Sequence, residues 1–424
     1  MSRIWNNPYS NVDWHNDGFY KADHHVHWRG FGDEPADTLD VLADGVENEG
    51  HSLPQDEWYE VLGAGSQAES EDCYWGPNGA DSGYHDMSDT NSDYSDRDAE
   101  NLGLDGIIEY PSQEIDDVEH ICHLFATSSP QDFDYYPGSG GSNGNIEDFA
   151  EALPQVIEDE DHTVVDGRGQ VVIPHPTRHM DSADEWDRYL EFFENYSLAG
   201  GLLGLEIFTK SLGSQGNHYG DGLNLDDVFE IWDSLMLQTM PERPIWGFAA
   251  NDCNFGDWGH GAGPDQRWWT VALSDDEFDP TDQHASRLAL KDALEEGRFW
   301  INQRQTYDHG DPNDAPQPPT LNEIDVDHDT ETITLDITWP EQSGQIDWYS
   351  NNAIVETGET IEIEDAYTPF VRAHAYYEDN GDMEGEIATQ PFTVVEDDYE
   401  PPDTFNFSSM STWDATSESE WSLT

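Results

Sequence analysis

Apolar and polar positions along the chain fall into three textures. The first, up to about residue 145, is irregular. Gly18, Phe19 and Tyr20 lead into Asp23-His24-His25-Val26-His27, which reads as a short strand running into a Gly-rich turn after Trp28. Strand alternation there puts Asp23, His25 and His27 on one face, with His24 and Val26 on the other. Leu39, Leu42 and Val46 predict a short helix over 38–50, closed by Gly50. Residues 51–101 are rich in Asp, Ser, Gly and Asn without clear periodicity, and read as an inserted, functional loop region. Residues 106–115 and 120–127 read as a strand pair, followed by a Gly/Ser/Pro loop over 128–145.

From residue 146 helical and strand-like runs alternate. Residues 146–158 read as helix and 170–174 as a buried strand. A helix over 182–196 opens on the capping box Ser182-Ala183-Asp184-Glu185. A strand over 202–208, a helix over 225–237, a strand over 245–250 and a helix over 284–297 follow. Such alternation predicts an α/β fold with a mainly parallel sheet, open or closed into a barrel.

The third texture begins after a stiff Pro-rich linker over 311–319. Beyond it, short alternating strands are expected at 332–339, 345–349, 360–363, 370–377 and 386–395. Turns such as Ser350-Asn351-Asn352 and Asn380-Gly381 separate them, which predicts a small immunoglobulin-like β-sandwich. The organisation expected is therefore a first domain over 1–310, the linker, a β-sandwich over 320–397 and an acidic polar tail over 398–424.

Composition changes this picture in one respect, the solvent. The chain has 424 residues, with 92 acidic against 15 basic, a formal net charge of -77. Hydrophobic residues make up 35% and aromatics 12%, too many for an acidic disordered chain. Acid spread along the whole length fits work in multimolar salt, where screening is nearly complete. No basic patch exists, which argues against nucleic acid as a partner. Cys73, Cys122 and Cys253 are too few and too scattered for a disulfide framework. The N-terminal residues lack the apolar core of a signal peptide, and no run approaches the roughly 18 apolar residues of a membrane span. Synthesis in the cytoplasm, with no membrane association, is the expectation.

Candidate chemistry collects where predicted strands end. Asp23, His25 and His27 come first, with Asp33 six residues on. Glu114 and His120 follow, then His175 after Val171-Val172-Ile173-Pro174, and Asp252 after Phe248-Ala249-Ala250-Asn251. Side chains delivered by several strand ends converge in α/β barrels, and mixed imidazole and carboxylate donors suit Zn, Mn or Fe better than Ca or Mg. Fifteen of the 17 histidines precede residue 310, so this chemistry belongs to the first domain. Asp89 to Glu100 mimics a calcium loop, but Tyr94 stands where such a loop needs Gly.

The order of these motifs resembles the PHP (polymerase and histidinol phosphatase) family. Asp23, His25 and His27 match its Asp-x-His-x-His. Pro111-Ser112-Gln113-Glu114 and His120-Ile121-Cys122-His123-Leu124-Phe125 are similar to its second pair of motifs. Ile173-Pro174-His175-Pro176-Thr177-Arg178 looks like its strand ending in Ala-His-Pro-x-Arg, and Gly204-Leu205-Glu206-Ile207-Phe208 like its later Glu-bearing strand. The resemblance spans about residues 15–305. Two positions depart from it: Thr90 and Asn254 stand where the family carries histidine.

The resemblance implies a distorted seven-stranded (β/α) TIM-like barrel and metal-dependent hydrolysis of a phosphomonoester or phosphodiester. One or two divalent ions would be held by His25, His27, Asp33, Glu114, His120, His175 and Asp252, and would activate water and polarise a phosphoryl oxygen. His25, His27, His175 and Arg178 are the expected catalytic residues, Arg178 steadying the phosphate with its planar fork. Glu206 is open between a structural and a site role, and Cys253 reads as a small buried residue. The other reading is a related domain with a degenerate site, kept as a binding or structural module in a larger assembly. In the hydrolase reading the C-terminal sandwich would serve docking or substrate presentation.

Overall fold

The computed structural model describes residues 3–27, 61–68, 108–115, 121–125, 170–176, 186–196, 201–209, 225–250, 253–254, 268–274, 282–304, 317–340, 344–379, 382–396 and 399. Strands β1 (Ile4–Asn6), β2 (Gly18–His27), β3 (Val61–Ala68), β4 (Ile108–Ile115), β5 (Ile121–Leu124) and β6 (Gln170–Ile173) come first. Helix α1 (Asp187–Asn195), β7 (Leu202–Thr209), α2 (Leu225–Thr239), β8 (Trp246–Ala250) and the short β9 (Cys253–Asn254) follow. Then come β10 (Trp268–Ser274), α3 (Gln283–Glu296) and β11 (Phe299–Arg304). The remainder is strand: β12 (Thr320–Asp327), β13 (Thr332–Thr338), β14 (Gln345–Ser350), β15 (Ala353–Thr357), β16 (Thr360–Glu362), β17 (Phe370–Asp379), β18 (Asp382–Thr389) and β19 (Phe392–Val394).

Local sequence explains the better-defined elements. Every residue of β7 is buried, the continuous apolar run of a strand covered on both faces. Asp282 caps α3 by accepting from the Ala285 N–H at 3.1 Å, and Gly297 closes it in the left-handed region at φ +72°. Gly297 also lies where a Cβ would meet the Trp246 ring at 2.8 Å, so both its conformation and its space favour glycine.

Strands β2, β3 and β4 run parallel, β5 runs antiparallel to β4 and β6, and β6, β7 and β8 are parallel again. Just past β8, β9 pairs in parallel with Val26 and His27, so the row bends back onto the end of β2. Residues Gly18 to Ala22 of β2 pair instead with β10, antiparallel. Strand β2 therefore changes neighbours at its middle, where His24 and His25 sit.

This overturns the expected (β/α) TIM-like barrel. Among the described residues strand predominates, three α-helices occur, and the sheet is curled and largely antiparallel. The connection from Ile115 to Ile121 is far shorter than the dozen or so residues of a parallel crossover, so β5 turns back on β4. Strands β10 and β11 add two antiparallel neighbours that helix–strand alternation does not announce. Strand β3 lies inside the segment expected to be an inserted loop.

What the pattern reads as an immunoglobulin-like sandwich also takes another form. Strand β11 pairs with β18, which carries the large sheet on into β17, β14, β15, β19 and finally β1. A separate three-stranded sheet, β12-β13-β16, covers it. The apolar core between them includes Trp269 and Trp300 as well as Leu321, Ile333, Trp348 and Val371. A second core packs α1, α2 and α3 against β5 to β8. Arg372 of β17 clamps Asp233 of α2 with both members buried, at 2.6 and 3.0 Å, and stacks over Phe229 and Tyr349. The expected helices over 38–50 and 146–158, the loop over 128–145, the capping box before α1 and the calcium-like loop lie outside the described residues. So do all of the tail but Tyr399 and most of the linker. No helix among the described residues is long and apolar enough to cross a membrane.

Candidate metal centre

A carboxylate in the middle of a fully buried strand is costly unless it is met by hydrogen bonds or charge. Glu206, on β7, has no exposed surface, and three groups meet it. His25 Nδ1 lies 2.7 Å from Oε1, His24 Nε2 lies 3.2 Å from the same oxygen, and the backbone N–H of His175 donates to Oε2 at 2.9 Å. Burial pulls the Glu206 carboxyl upward, but His25 and His24 outweigh it and hold the group well below the usual carboxylate range. For His24 burial dominates, so its imidazole is held below its ordinary value despite Glu206, which favours the neutral ring.

Two consecutive histidines reach one carboxylate because β2 is bulged. Asp23 pairs with Leu62 and Val26 with Ala64, so β2 spends one more residue than β3 over this span. Alternation fails at that point, and the expected separation of His24 from His25 onto opposite faces is corrected. Asp23 supports the bulge by accepting from the His25 N–H at 3.3 Å. His24 also packs edge-on against Phe248.

His175 follows β6 and is buried, with φ +27°, a backbone conformation that side-chain-bearing residues seldom adopt. The bend aims its N–H at Glu206 and brings its ring to 5.8 Å from that of His25. Strained backbone of this kind gathers at functional sites.

From the neighbouring strand β5, Cys122 completes a compact donor group. One ligand atom each from His25, Cys122 and Glu206 lies within 4.8 Å of the others. Small side-chain rotations bring such a set to the roughly 3.3–3.8 Å spacing of donors around a tetrahedral ion. His25 and Glu206, already 2.7 Å apart through Nδ1 and Oε1, offer an imidazole nitrogen and a carboxylate oxygen to the same ion. The donor set fits a divalent ion.

Of the residues expected from sequence, His25 and His175 are brought together around Glu206. His27 and Glu114 are placed by their backbones alone: His27 pairs with Gly65 and with Asn254, and Glu114 stands opposite Cys122 in the β4–β5 register. Asn254, one of the two departures from the family pattern, therefore sits beside His27. Asp33, His120, Arg178 and Asp252 lie outside the described residues. His24 and Cys122 were not anticipated. Only the bulge reveals His24, and a lone cysteine on a four-residue strand gives no spacing signal. Comparison with protein-family models, curated proteins and solved structures finds no match.

Proposed function

We propose that the chain is a metal-dependent hydrolase of a phosphomonoester or phosphodiester. The observation that carries this reading is the buried Glu206 side chain, met by two imidazoles, with the Cys122 thiol and the His175 ring in the same place. The ion bound there is Zn, Mn or Fe, one or two per chain, and when bound it supplies an activated water and a polarised phosphoryl oxygen. Glu206 and His25 would hold the ion together, and the carboxylate offsets part of its charge. The backbone bend at His175 holds its ring beside that of His25, and Arg178, three residues on, steadies the phosphate. His27, Glu114, His120, Asp33 and Asp252 complete the donor set proposed from sequence.

Two measurements test it. Protein purified in high salt should carry at least one Zn, Mn or Fe per chain by elemental analysis, and a metal-free but folded preparation sinks the reading. Hydrolysis of a chromogenic phosphodiester should stop in the double variant His25→Ala, His27→Ala. Full activity in that variant moves the chemistry elsewhere.

The complete burial of His25, Cys122 and Glu206 favours a second reading, a closed metal centre that stabilises a binding or structural module. Chelation would then lower the melting temperature while no phosphoester is turned over at any metal loading.

A further inference from the structure

We infer that Cys122 binds the metal as a thiolate, making the centre a His25–Glu206–Cys122 site that selects zinc. This rests on the metal-centre reading above and goes beyond it by naming a ligand and an ion. The placement is specific. Cys122 has no exposed surface, its strand is pinned between β4 and β6 by registers that set it opposite Glu114 and Val172, and its donor atom falls within 4.8 Å of those of His25 and Glu206. Cys122 belongs to the buried core that also holds Ile121, Leu124, Val172 and Ile173, so no solvent is at hand to support a lone charge.

Charge decides the rest. Among the three grouped donors, Glu206 with a neutral His25 leaves one positive charge of a divalent ion uncompensated. A thiolate from Cys122 cancels it: one carboxylate and one thiolate balance a doubly charged cation. On binding, the S–H bond breaks, the sulfur electron pair forms the metal–sulfur bond, and the proton leaves to buffer. Thiolate is a soft donor, which favours zinc over manganese or magnesium.

The test uses the full chain in molar KCl, stripped with a chelator and reloaded with cobalt(II), which replaces zinc and reports its ligands by absorption. Expected is an intense near-ultraviolet thiolate-to-cobalt band with one cobalt bound. Cys122→Ser should lose the band and bind cobalt at least about tenfold more weakly, while Cys73→Ser and Cys253→Ser keep both. Cobalt binding to the unaltered chain without that band overturns the Cys122 assignment and leaves the metal centre standing. No cobalt or zinc binding at all overturns the metal centre itself. A band that survives Cys122→Ser but disappears in Cys253→Ser also refutes the assignment, because the sulfur ligand is then another residue. Should Cys122→Ser fail to fold, the spectrum of the unaltered chain still decides whether a thiolate is bound, and Cys122→Ala replaces it for the affinity measurement.

Discussion

Around Glu206 a single oxygen, Oε1, is approached by two histidines, and the other by a backbone N–H. Replacing that carboxylate by its amide keeps the shape and removes the charge. Glu206→Gln should therefore weaken metal binding about 10- to 100-fold, read by competition with a chromogenic chelator, with secondary structure retained. Unchanged affinity would make the carboxylate a purely structural group. At this scale the sequence was partly legible. His25 and His175 stand out because histidines at strand ends are rarely wanted by packing alone. Strict alternation sends His24 to the wrong face, since it holds only where no residue is added to the strand. Cys122 is invisible because one cysteine on a short buried strand looks like any small core residue.

Between elements, what matters most is how closely β7 and β8 approach. A Cβ on Gly204 would lie 1.8 Å from the Trp246 carbonyl oxygen, inside any tolerable contact. Gly204→Ala should push the two strands apart and cost at least about 3 kcal/mol, through strain and lost ladder bonds. The urea midpoint in constant KCl measures it, and a midpoint close to that of the unaltered chain would show that β8 can move freely. The outer side of β8 is finished by Gln390, whose amide accepts from the Gly247 N–H and donates to its carbonyl, both at 2.8 Å. Such a side chain substitutes for one residue of a missing strand. Helices α2 and α3 were legible, because their apolar spacing and the closing Gly297 are local signals. Strands β3, β10, β11 and β12 were not. Their partners lie far off in sequence, and short strands declare themselves mainly through such partners.

For the molecule as a whole, charge sets the conditions under which any of this holds. A net of -77 on 424 residues repels itself unless screened. The screening length shrinks from about 10 Å at 0.1 M to about 3 Å at 1 M salt. Lowering KCl from molar to about 0.1 M should thus lower the thermal midpoint steeply, followed by circular dichroism. A midpoint indifferent to salt would refute this account of the composition. The alternating pattern suggested helices wrapped round a parallel barrel. It could not show that β11 hands the sheet on to β18, because nothing local in Phe299–Arg304 distinguishes an outer strand from one with another neighbour waiting.

The pairing of Ile4 with Val394 has a consequence in time. Close to 390 residues separate β1 from β19, roughly 20–80 s of synthesis at 5–20 residues per second. Until β18 and β19 emerge, β1 has no strand to join and the outer edge of β11 stays open. An open edge is a template for the wrong neighbour.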